Sequence, residues 1–149
     1  MKKLLPLFLA LTLLAGCGPK PATSYDPAAT AKALNSSGCF SETLEPLEQE
    51  VFCALYGLDA ATLTDGVVYA STGSTAEEFA VLVLKDKAAA DAALEVLKQR
   101  LADQKEANTE YRPMDMPKLD SAIVNQQGNS VLLVIANDAD AANKALEQG

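Results

Sequence analysis

The sequence has 149 residues, with 12 lysines and arginines, 20 aspartates and glutamates, no histidine and a formal net charge of −8. This length suits one domain with a single core, and the acidic surplus argues against a nucleic-acid partner, because phosphates attract basic surfaces. The missing histidine excludes the Ser-His-Asp and Cys-His catalytic arrangements and removes the commonest metal ligand.

The amino terminus has the layout of a secretory signal peptide. Lys2 and Lys3 precede an apolar run over residues 4–14, which is shorter than the ~20 apolar residues of a membrane-spanning helix. The segment "LAGC" (14–17), which ends in Cys17, is similar to the lipobox of bacterial lipoproteins. In those proteins the chain is cut before the cysteine, whose thiol receives a diacylglyceryl group. A plain signal peptide or a buried amino-terminal helix is the alternative interpretation.

We therefore expect Cys17 to be a lipid anchor. One acyl chain such as palmitate binds a membrane marginally, at about 0.8 kcal/mol for each buried CH₂, whereas two chains hold stably. Without the two lysines of the signal peptide, ten basic residues face twenty acidic ones, so the protein surface itself should not adsorb to anionic lipid. The expected organisation is a signal peptide over residues 1–16, a proline-bearing tether over 17–27 and one domain over 28–149.

Two helices are predicted before the first strand: a weak one over residues 28–34 and a clearer one over about 46–56. In the second, Pro46 suits the first turn, where its missing N–H is not needed, and Gly57 suits the left-handed position after the last turn. The apolar side chains that recur at helical spacing should form its buried face. They are Leu44, Leu47, Val51, Ala54, Leu55 and Leu58.

Two strand–strand–helix units follow. The strands are rich in β-branched and aromatic residues, and each helix begins at an aspartate that can cap it, Asp86 or Asp138. The predicted elements are strands over 66–72 and 78–86, a helix to about 106, a connector over 111–117, strands over 119–127 and 129–137, and a helix to about 147. Two prolines in the connector argue against regular structure there.

The second unit repeats the first at a shift of 52 residues, which aligns Asp86 with Asp138 and the apolar run 81–83 with 133–135. We therefore predict an α+β fold with a four-stranded antiparallel sheet, covered by helices on one or both faces. Because the apolar runs 79–84 and 131–136 do not alternate, they should be central strands buried on both faces. The more polar strands, 66–72 and 121–127, would be the edges.

Two groups of carboxylates are candidates for acid–base chemistry. We expect Glu77 and Glu78 at a strand entrance in solvent, and Asp138 and Asp140 at a helix start, where carboxylates complement the helix dipole. A calcium site at the second group would need more ligands and a loop glycine. The sequence therefore predicts no catalytic residue, no metal site and no cofactor.

Cys39 and Cys53 remain once Cys17 is assigned to the lipid. They are a candidate disulfide, because thiols can pair outside the cytoplasm. The alternative is two independent, partly buried thiols, and the missing CxxC spacing argues against a redox role.

Aromatic side chains are few, and the sequence has no tryptophan. Their spacing on a helix face and on strands predicts packing in the core or at its rim rather than a recognition surface. The residues concerned are Phe52, Tyr56, Tyr69, Phe79 and Tyr111.

Several short motifs stand in a distinctive order after the lipobox and the tether. They are "ALYGLD" (54–59), "VVYAST" (67–72), "EEFAVLVLKD" (77–86), "YRPMDMPKLDSAIV" (111–124) and "GNSVLLVIANDADAA" (128–142). In this order they resemble an uncharacterised family of lipoproteins, a domain of unknown function found in Gram-positive, mainly gut-dwelling bacteria. The similarity covers residues 28–147. The family has no established activity, so the resemblance implies domain limits and an extracytoplasmic location but no catalytic residues.

Two functions from different classes fit these features. The first is a non-catalytic module, held on the extracytoplasmic face of the cell membrane through lipid on Cys17, that binds another envelope protein or a ligand. The alternative is a small cell-envelope hydrolase, which would need two carboxylates converging in a cleft with perturbed pKa values. The arrangement of the acidic residues in the fold is the feature that separates the two.

Overall fold

A computed structural model describes residues 24–148 of the chain. In chain order, its elements are α1 (Pro27–Ser36), β1 (Glu45–Pro46), α2 (Gln49–Tyr56), β2 (Leu63–Ala70), β3 (Glu78–Leu84), α3 (Lys87–Tyr111), α4 (Met116–Asp120), β4 (Ile123–Gln127), β5 (Ser130–Ile135) and α5 (Ala139–Gln148). The strands of this region form one antiparallel sheet in the order β1-β2-β3-β5-β4. The predicted α+β class and the two strand–strand–helix units are confirmed.

The sheet has one strand more than predicted. In β1, Glu45 lies opposite Ala70 and Pro46 opposite Tyr69, so this short strand covers only the end of β2. Pro46 was expected to open a helix, but it lies in an edge strand, where a residue without an N–H is tolerated, and α2 begins at Gln49. A strand of two residues is too short to show the alternation by which strands are recognised.

The two apolar runs are the central strands, as predicted. Val81 of β3 lies opposite Val67 of β2 on one side and Leu132 of β5 on the other. Every residue of β5 is buried, and β3 is buried at all positions except Val83. β4 is an edge strand, also as predicted, whereas β2 is an edge only where β1 does not cover it.

Helices cover both faces of the sheet. The core on the first face joins α2, α3 and α4 to β3 and β5, for example through Phe52, Leu97 and Leu119. The core on the second face joins α1 and α5 to the same strands, for example through Leu34 and Ala142. Because β3 and β5 contribute alternate side chains to both cores, they have the unbroken apolar sequence of doubly covered strands.

The 52-residue repeat does not correspond to a structural symmetry. The shift aligns Val81 with Leu133, yet Val81 packs in the second-face core and Leu133 in the first-face core. The helices differ in the same way, because α3 packs on the first face and α5 on the second. β3 and β5 are antiparallel neighbours, so a twofold axis that related the two units would be perpendicular to the sheet. Such an axis would keep equivalent side chains on the same face, which is not observed. The two units therefore share the order of their elements but not their packing.

The buried side of α2 is not the predicted one. Val51 and Leu55 are 52 % and 48 % exposed, whereas Phe52, Cys53 and Tyr56 are buried. The helix thus buries its two aromatic rings, which remove more apolar surface from water than the aliphatic side chains would. Gly57 has φ of 69°, so the predicted left-handed end of this helix is confirmed.

Aspartates open three of the helices. Asp26, Asp86 and Asp138 accept hydrogen bonds from the backbone N–H three residues later, at 2.8, 2.8 and 2.9 Å. Each bond satisfies an amide that has no partner within its helix. The predicted caps at Asp86 and Asp138 are therefore confirmed.

The connector after α3 is more regular than predicted. α3 continues to Tyr111, and residues 113–115 form a 3₁₀ turn that leads into α4. Pro113 and Pro117 lie in the first turns of these short segments, where a missing N–H leaves no bond unmade. As a result β4 begins at Ile123, four residues later than expected.

Candidate functional site

Two consecutive glutamates lie buried at the start of β3. Glu77 is 1 % exposed and Glu78 is 3 % exposed, so the prediction of a solvated strand entrance is wrong. Charged groups are buried in proteins when partners compensate for the water that they lose. The partners of these carboxylates define the candidate site.

Glu78 is held by Arg100 of α3 and Tyr56 of α2. Arg100 donates from Nε to Oε1 at 3.0 Å and from Nη2 to Oε2 at 2.7 Å, and the Tyr56 hydroxyl donates to Oε1 at 3.0 Å. The guanidinium also lies over the Tyr56 ring, 5.3 Å from its centroid. Two parallel, charge-assisted hydrogen bonds of this kind are stronger and more specific than neutral ones.

Burial and charge shift the pKa values in this group. Burial, and then the negative charge of Glu78, raise the pKa of Tyr56 well above its usual value, so the hydroxyl remains a donor. Burial by itself would lower the pKa of Arg100, but the hydrogen bonds and charge of Glu78 and Tyr56 outweigh it, and the pKa is raised. Arg100 therefore keeps its charge in this buried position.

Glu77 has a separate set of partners. Lys118 of α4 donates to its Oε1 at 2.6 Å, and Ser41 donates from its hydroxyl at 2.5 Å and from its backbone N–H at 2.9 Å. Lys118 also pairs with Asp115 at 3.3 Å, and Asp115 accepts from the backbone N–H of Ala76 at 3.0 Å. The hydrogen bonds and charges of these acids outweigh burial and raise the pKa of Lys118.

A third carboxylate, that of Glu42, is hydrogen-bonded to the loop between β2 and β3. Glu42 accepts from the hydroxyls of Ser71, Ser74 and Thr75 at 2.5, 2.6 and 3.0 Å. These bonds, that of Ser71 above all, lower the pKa of Glu42. Arg112 donates to the carbonyl of Gly73 in the same loop.

A cleft of about 250 Å³ opens beside these ion pairs. Its lining is mixed, with the aliphatic residues Leu47, Val51 and Leu55 and the polar residues Glu78, Arg100 and Gln104. Another cleft, of about 380 Å³, lies between α1 and α5, and alanine and serine side chains line most of it. Only the first of these two combines exposed apolar side chains with buried ionic groups.

The two glutamates have separate partners. Each carboxylate meets a different cation, Lys118 for Glu77 and Arg100 for Glu78. The two carboxylates are not hydrogen-bonded to each other, and each accepts three hydrogen bonds from other residues. General acid–base catalysis needs a carboxylate that can exchange a proton with a substrate, which this arrangement does not favour.

Ser41 is the hydroxyl at this site to consider as a nucleophile, because it lies next to ionisable side chains. A serine nucleophile needs an adjacent base to take its proton, and Lys118 contacts the same Glu77 oxygen. However, the raised pKa of Lys118 keeps this amine protonated, so it is not a base at neutral pH. Lys118 and Glu77 therefore form an ion pair here, and Lys118 does not act as a base for Ser41.

The structure does not bring Cys39 and Cys53 together. Within residues 24–148, both are buried, free thiols, with Cys39 in the second-face core and Cys53 in the first-face core. Burial raises the pKa of both thiols. Of the two alternatives drawn from the sequence, this placement matches independent thiols.

The remaining sequence candidates have structural roles, with one exception. Asp138 caps α5, and Asp140 lies in its first turn. Phe52, Tyr56 and Phe79 are buried, and Tyr69 stacks on Phe79 with ring centroids 4.8 Å apart. Tyr111 is 77 % exposed, so the prediction that it packs in the core or at its rim is wrong.

The lipidation candidate, Cys17, lies outside the described residues. Among the helices between residues 24 and 148, none combines the length and the hydrophobicity that a membrane span requires. The same part of the chain has no cluster of acidic and cysteine side chains that could hold a metal ion.

The fold and the site define a small α+β domain, with the Glu78–Arg100 ion pair buried between its sheet and α3. Residues 37–136 match the family described as a domain of unknown function, DUF4358. The match spans two thirds of the chain, which therefore belongs to this family. No curated protein and no solved structure matches the chain at a significant level.

Proposed function

We propose that this chain is a membrane-anchored, extracytoplasmic lipoprotein whose domain is a non-catalytic binding module of the cell envelope. The anchoring part rests on the "LAGC" segment, whose cysteine lies seven residues before Ser24. A chain of seven residues spans at most ~25 Å, so a lipid on Cys17 would hold the domain close to the bilayer. The family resemblance adds a Gram-positive, gut-dwelling host to the proposal.

The binding role is supported by a difference in polarity within the cleft: its floor is ionic and buried, whereas its rim is apolar and exposed. At the floor, Glu78 and Arg100 neutralise each other and are held rigidly. At the rim, Val51 and Leu55 expose about half of their surface to water. Rigid polar groups beside exposed apolar side chains suit the recognition of a partner.

The hydrolase alternative has less support. Both glutamates do lie at the cleft, which is where a carboxylate mechanism would need them. Each is neutralised by its own cation, however, and a catalytic pair needs one free carboxylate and one acid with a raised pKa. We therefore favour the binding module.

The anchor is tested by Cys17→Ser in the full chain, expressed in the native cells with an alkyne analogue of palmitate. We expect the wild-type protein to carry the label and to sediment with membranes, and the variant to lose both. Cys53→Ala is the matched control, because it removes a thiol outside the lipobox and should keep label and membrane association. A Cys17→Ser protein that still carried the label would contradict the proposal.

A further inference from the structure

The exposed apolar residues of α2 form a continuous stripe. Val51 and Leu55 are one helical turn apart and therefore adjacent on the helix surface. Leu47, just before the helix, lines the same cleft. Large apolar side chains that a fold leaves in water next to a cleft commonly mark an interaction site.

Acidic side chains flank this stripe. Glu45 of β1 and Glu48 and Glu50 at the start of α2 are exposed, and Asp103 is exposed on α3, where it lines a smaller cleft together with Leu55. Among residues 24–148, none of these four carboxylates belongs to an ion pair. The arginine at the cleft, Arg100, is already neutralised by Glu78. The stripe therefore has an uncompensated negative rim.

The cleft lies at the end of the sheet opposite to the point where the chain enters the domain. The backbone N–H of Tyr25 donates to the Ser130 hydroxyl at 2.7 Å, beside the turn between β4 and β5. Ser130 is paired with Val83, whereas Glu78 at the cleft is paired with Ile135. Val83 is five positions after Glu78 along β3, so the two ends are about 17 Å apart, at ~3.3 Å per residue.

We propose that Val51, Leu55 and their acidic rim are the docking surface for a segment of another protein, which has apolar side chains flanked by lysine or arginine. This inference rests on the proposed function, because an anchor at the Tyr25 end leaves the cleft facing away from the bilayer. The apolar side chains would cover the stripe, and the basic ones would meet Glu48, Glu50 and Asp103. Complementary charge of this kind sets the orientation of a partner and speeds its association.

The charge pattern selects this occupant over others. An acidic peptide or an anionic lipid surface would meet like charge at the rim. A purely apolar ligand could cover the stripe, but it would form no ion pair with the carboxylates of the rim. A basic, amphipathic protein segment uses both features at once.

The test is photocrosslinking of the full-length protein in its native cells, with p-benzoylphenylalanine in place of Val51 or of Leu55. Met114 is the matched control position, because it is an apolar side chain 81 % exposed in the connector after α3. We expect a discrete adduct from positions 51 and 55 and none of that mass from 114. Mass spectrometry of the crosslinked peptide should show apolar residues next to lysine or arginine.

Charge reversal provides the second arm. Glu48→Lys together with Glu50→Lys should lower the adduct yield about tenfold, as expected for the loss of ~1.4 kcal/mol of binding. Because the two lysines oppose the dipole at the start of α2, the thermal melting temperature should fall slightly, with the protein still fully folded at the growth temperature. Lys98→Glu, on the far side of α3 in an exposed ion pair with Glu95, should change neither. An unchanged yield in the double variant, equal adducts from position 114, or a captured segment without basic residues would overturn the proposal.

The same samples separate this inference from the proposed function. Membrane fractionation of the Cys17→Ser variant reports only on the anchor. If that variant remained labelled and membrane-bound while the adduct pattern held, the anchor would fail and the docking surface would stand. If the adducts were missing while Cys17→Ser released the protein, only the docking surface would fail.

Discussion

Arg100 donates two hydrogen bonds to Glu78, at 3.0 and 2.7 Å, and so joins the middle of α3 to the first residue of β3. The two residues are 22 positions apart in the chain. Their side chains are only 17 % and 4 % exposed, so neither charge could stay in place without the other. The pair positions α3 against the sheet and forms the floor of the cleft.

Breaking this pair should strongly destabilise the domain. We expect Arg100→Met to lower the free energy of unfolding by about 3–5 kcal/mol, because it leaves the Glu78 carboxylate buried without a cation. Urea denaturation followed by circular dichroism measures the change. The double variant Glu78→Leu/Arg100→Met should recover part of the loss, because no buried charge is left uncompensated. The remaining loss is expected from the Tyr56 hydroxyl, which no longer has Glu78 as its acceptor.

An exposed ion pair serves as the control for this prediction. Lys98 and Glu95 pair at 2.7 Å on the outer surface of α3, with side chains 53 % and 71 % exposed. Lys98→Met should change the free energy of unfolding by less than about 1 kcal/mol. An Arg100→Met effect as small as that of Lys98→Met would show that the buried pair is not essential to the fold.

Stability should fall in alkaline solution, and Tyr56 should account for part of the fall. Burial and the charge of Glu78 raise the pKa of Tyr56 well above 10.0, so the folded state keeps a proton that the unfolded chain loses. The folded state then binds more protons, and its stability decreases as the pH rises above 10.0. Tyr56→Phe should make this decrease shallower in urea titrations at a series of pH values.

Lys118 should contribute to the same decrease. Its pKa is raised above 10.5 because the hydrogen bonds and charges of Glu77 and Asp115 outweigh burial. A raised lysine pKa adds stability that is complete below 10.5 and is lost as the pH passes the folded-state pKa. If Tyr56→Phe and Lys118→Arg both retained the wild-type slope, the buried pairs would not be the cause.

The two sides of α2 should differ sharply in their tolerance of truncation. Phe52→Ala should cost about 3–5 kcal/mol, because it empties a ring-sized space in the first-face core. Leu55→Ala removes a side chain that is 48 % exposed, and we expect a change within about 0.5 kcal/mol. Equal effects of the two substitutions in urea denaturation would mean that α2 is oriented differently.

The thiols should report on both burial and lipidation. In the folded protein, Cys39 and Cys53 should react slowly with a thiol reagent, because they are buried and their pKa values are raised. After unfolding without a reductant, the purified membrane-bound protein should show two reactive thiols of its three cysteines if the Cys17 thiol carries a diacylglyceryl group. Three would mean an unmodified Cys17, and none would mean that Cys39 and Cys53 are paired.

Local features of the fold could be predicted from the sequence because their causes are local. The Asp86 and Asp138 caps depend on an oxygen three residues before an amide. Gly57 ends α2 because only a residue without a side chain readily adopts its φ. The runs 79–84 and 131–136 were recognisable as central strands because no polar residue interrupts them.

The candidate site could not be predicted, because its contacts join distant parts of the chain. An acidic pair before a strand is ordinarily exposed, so the sequence predicts Glu77 and Glu78 in solvent. Their burial depends on Lys118 and Arg100, which lie 41 and 22 positions away. No spacing rule connects residues so far apart on different elements.

By itself, the sequence determined the class of fold, the central strands, the helix caps and the lipobox-like segment that motivates the anchor. Hydrophobic periodicity and capping act within a few residues, so they can be read along the chain. Only the tertiary structure decided that α2 turns its aromatic rings inward, that α3 and α5 cover opposite faces, and that two carboxylates are buried beside a cleft. These features depend on competition between side chains for a shared core and on charges that meet only after folding.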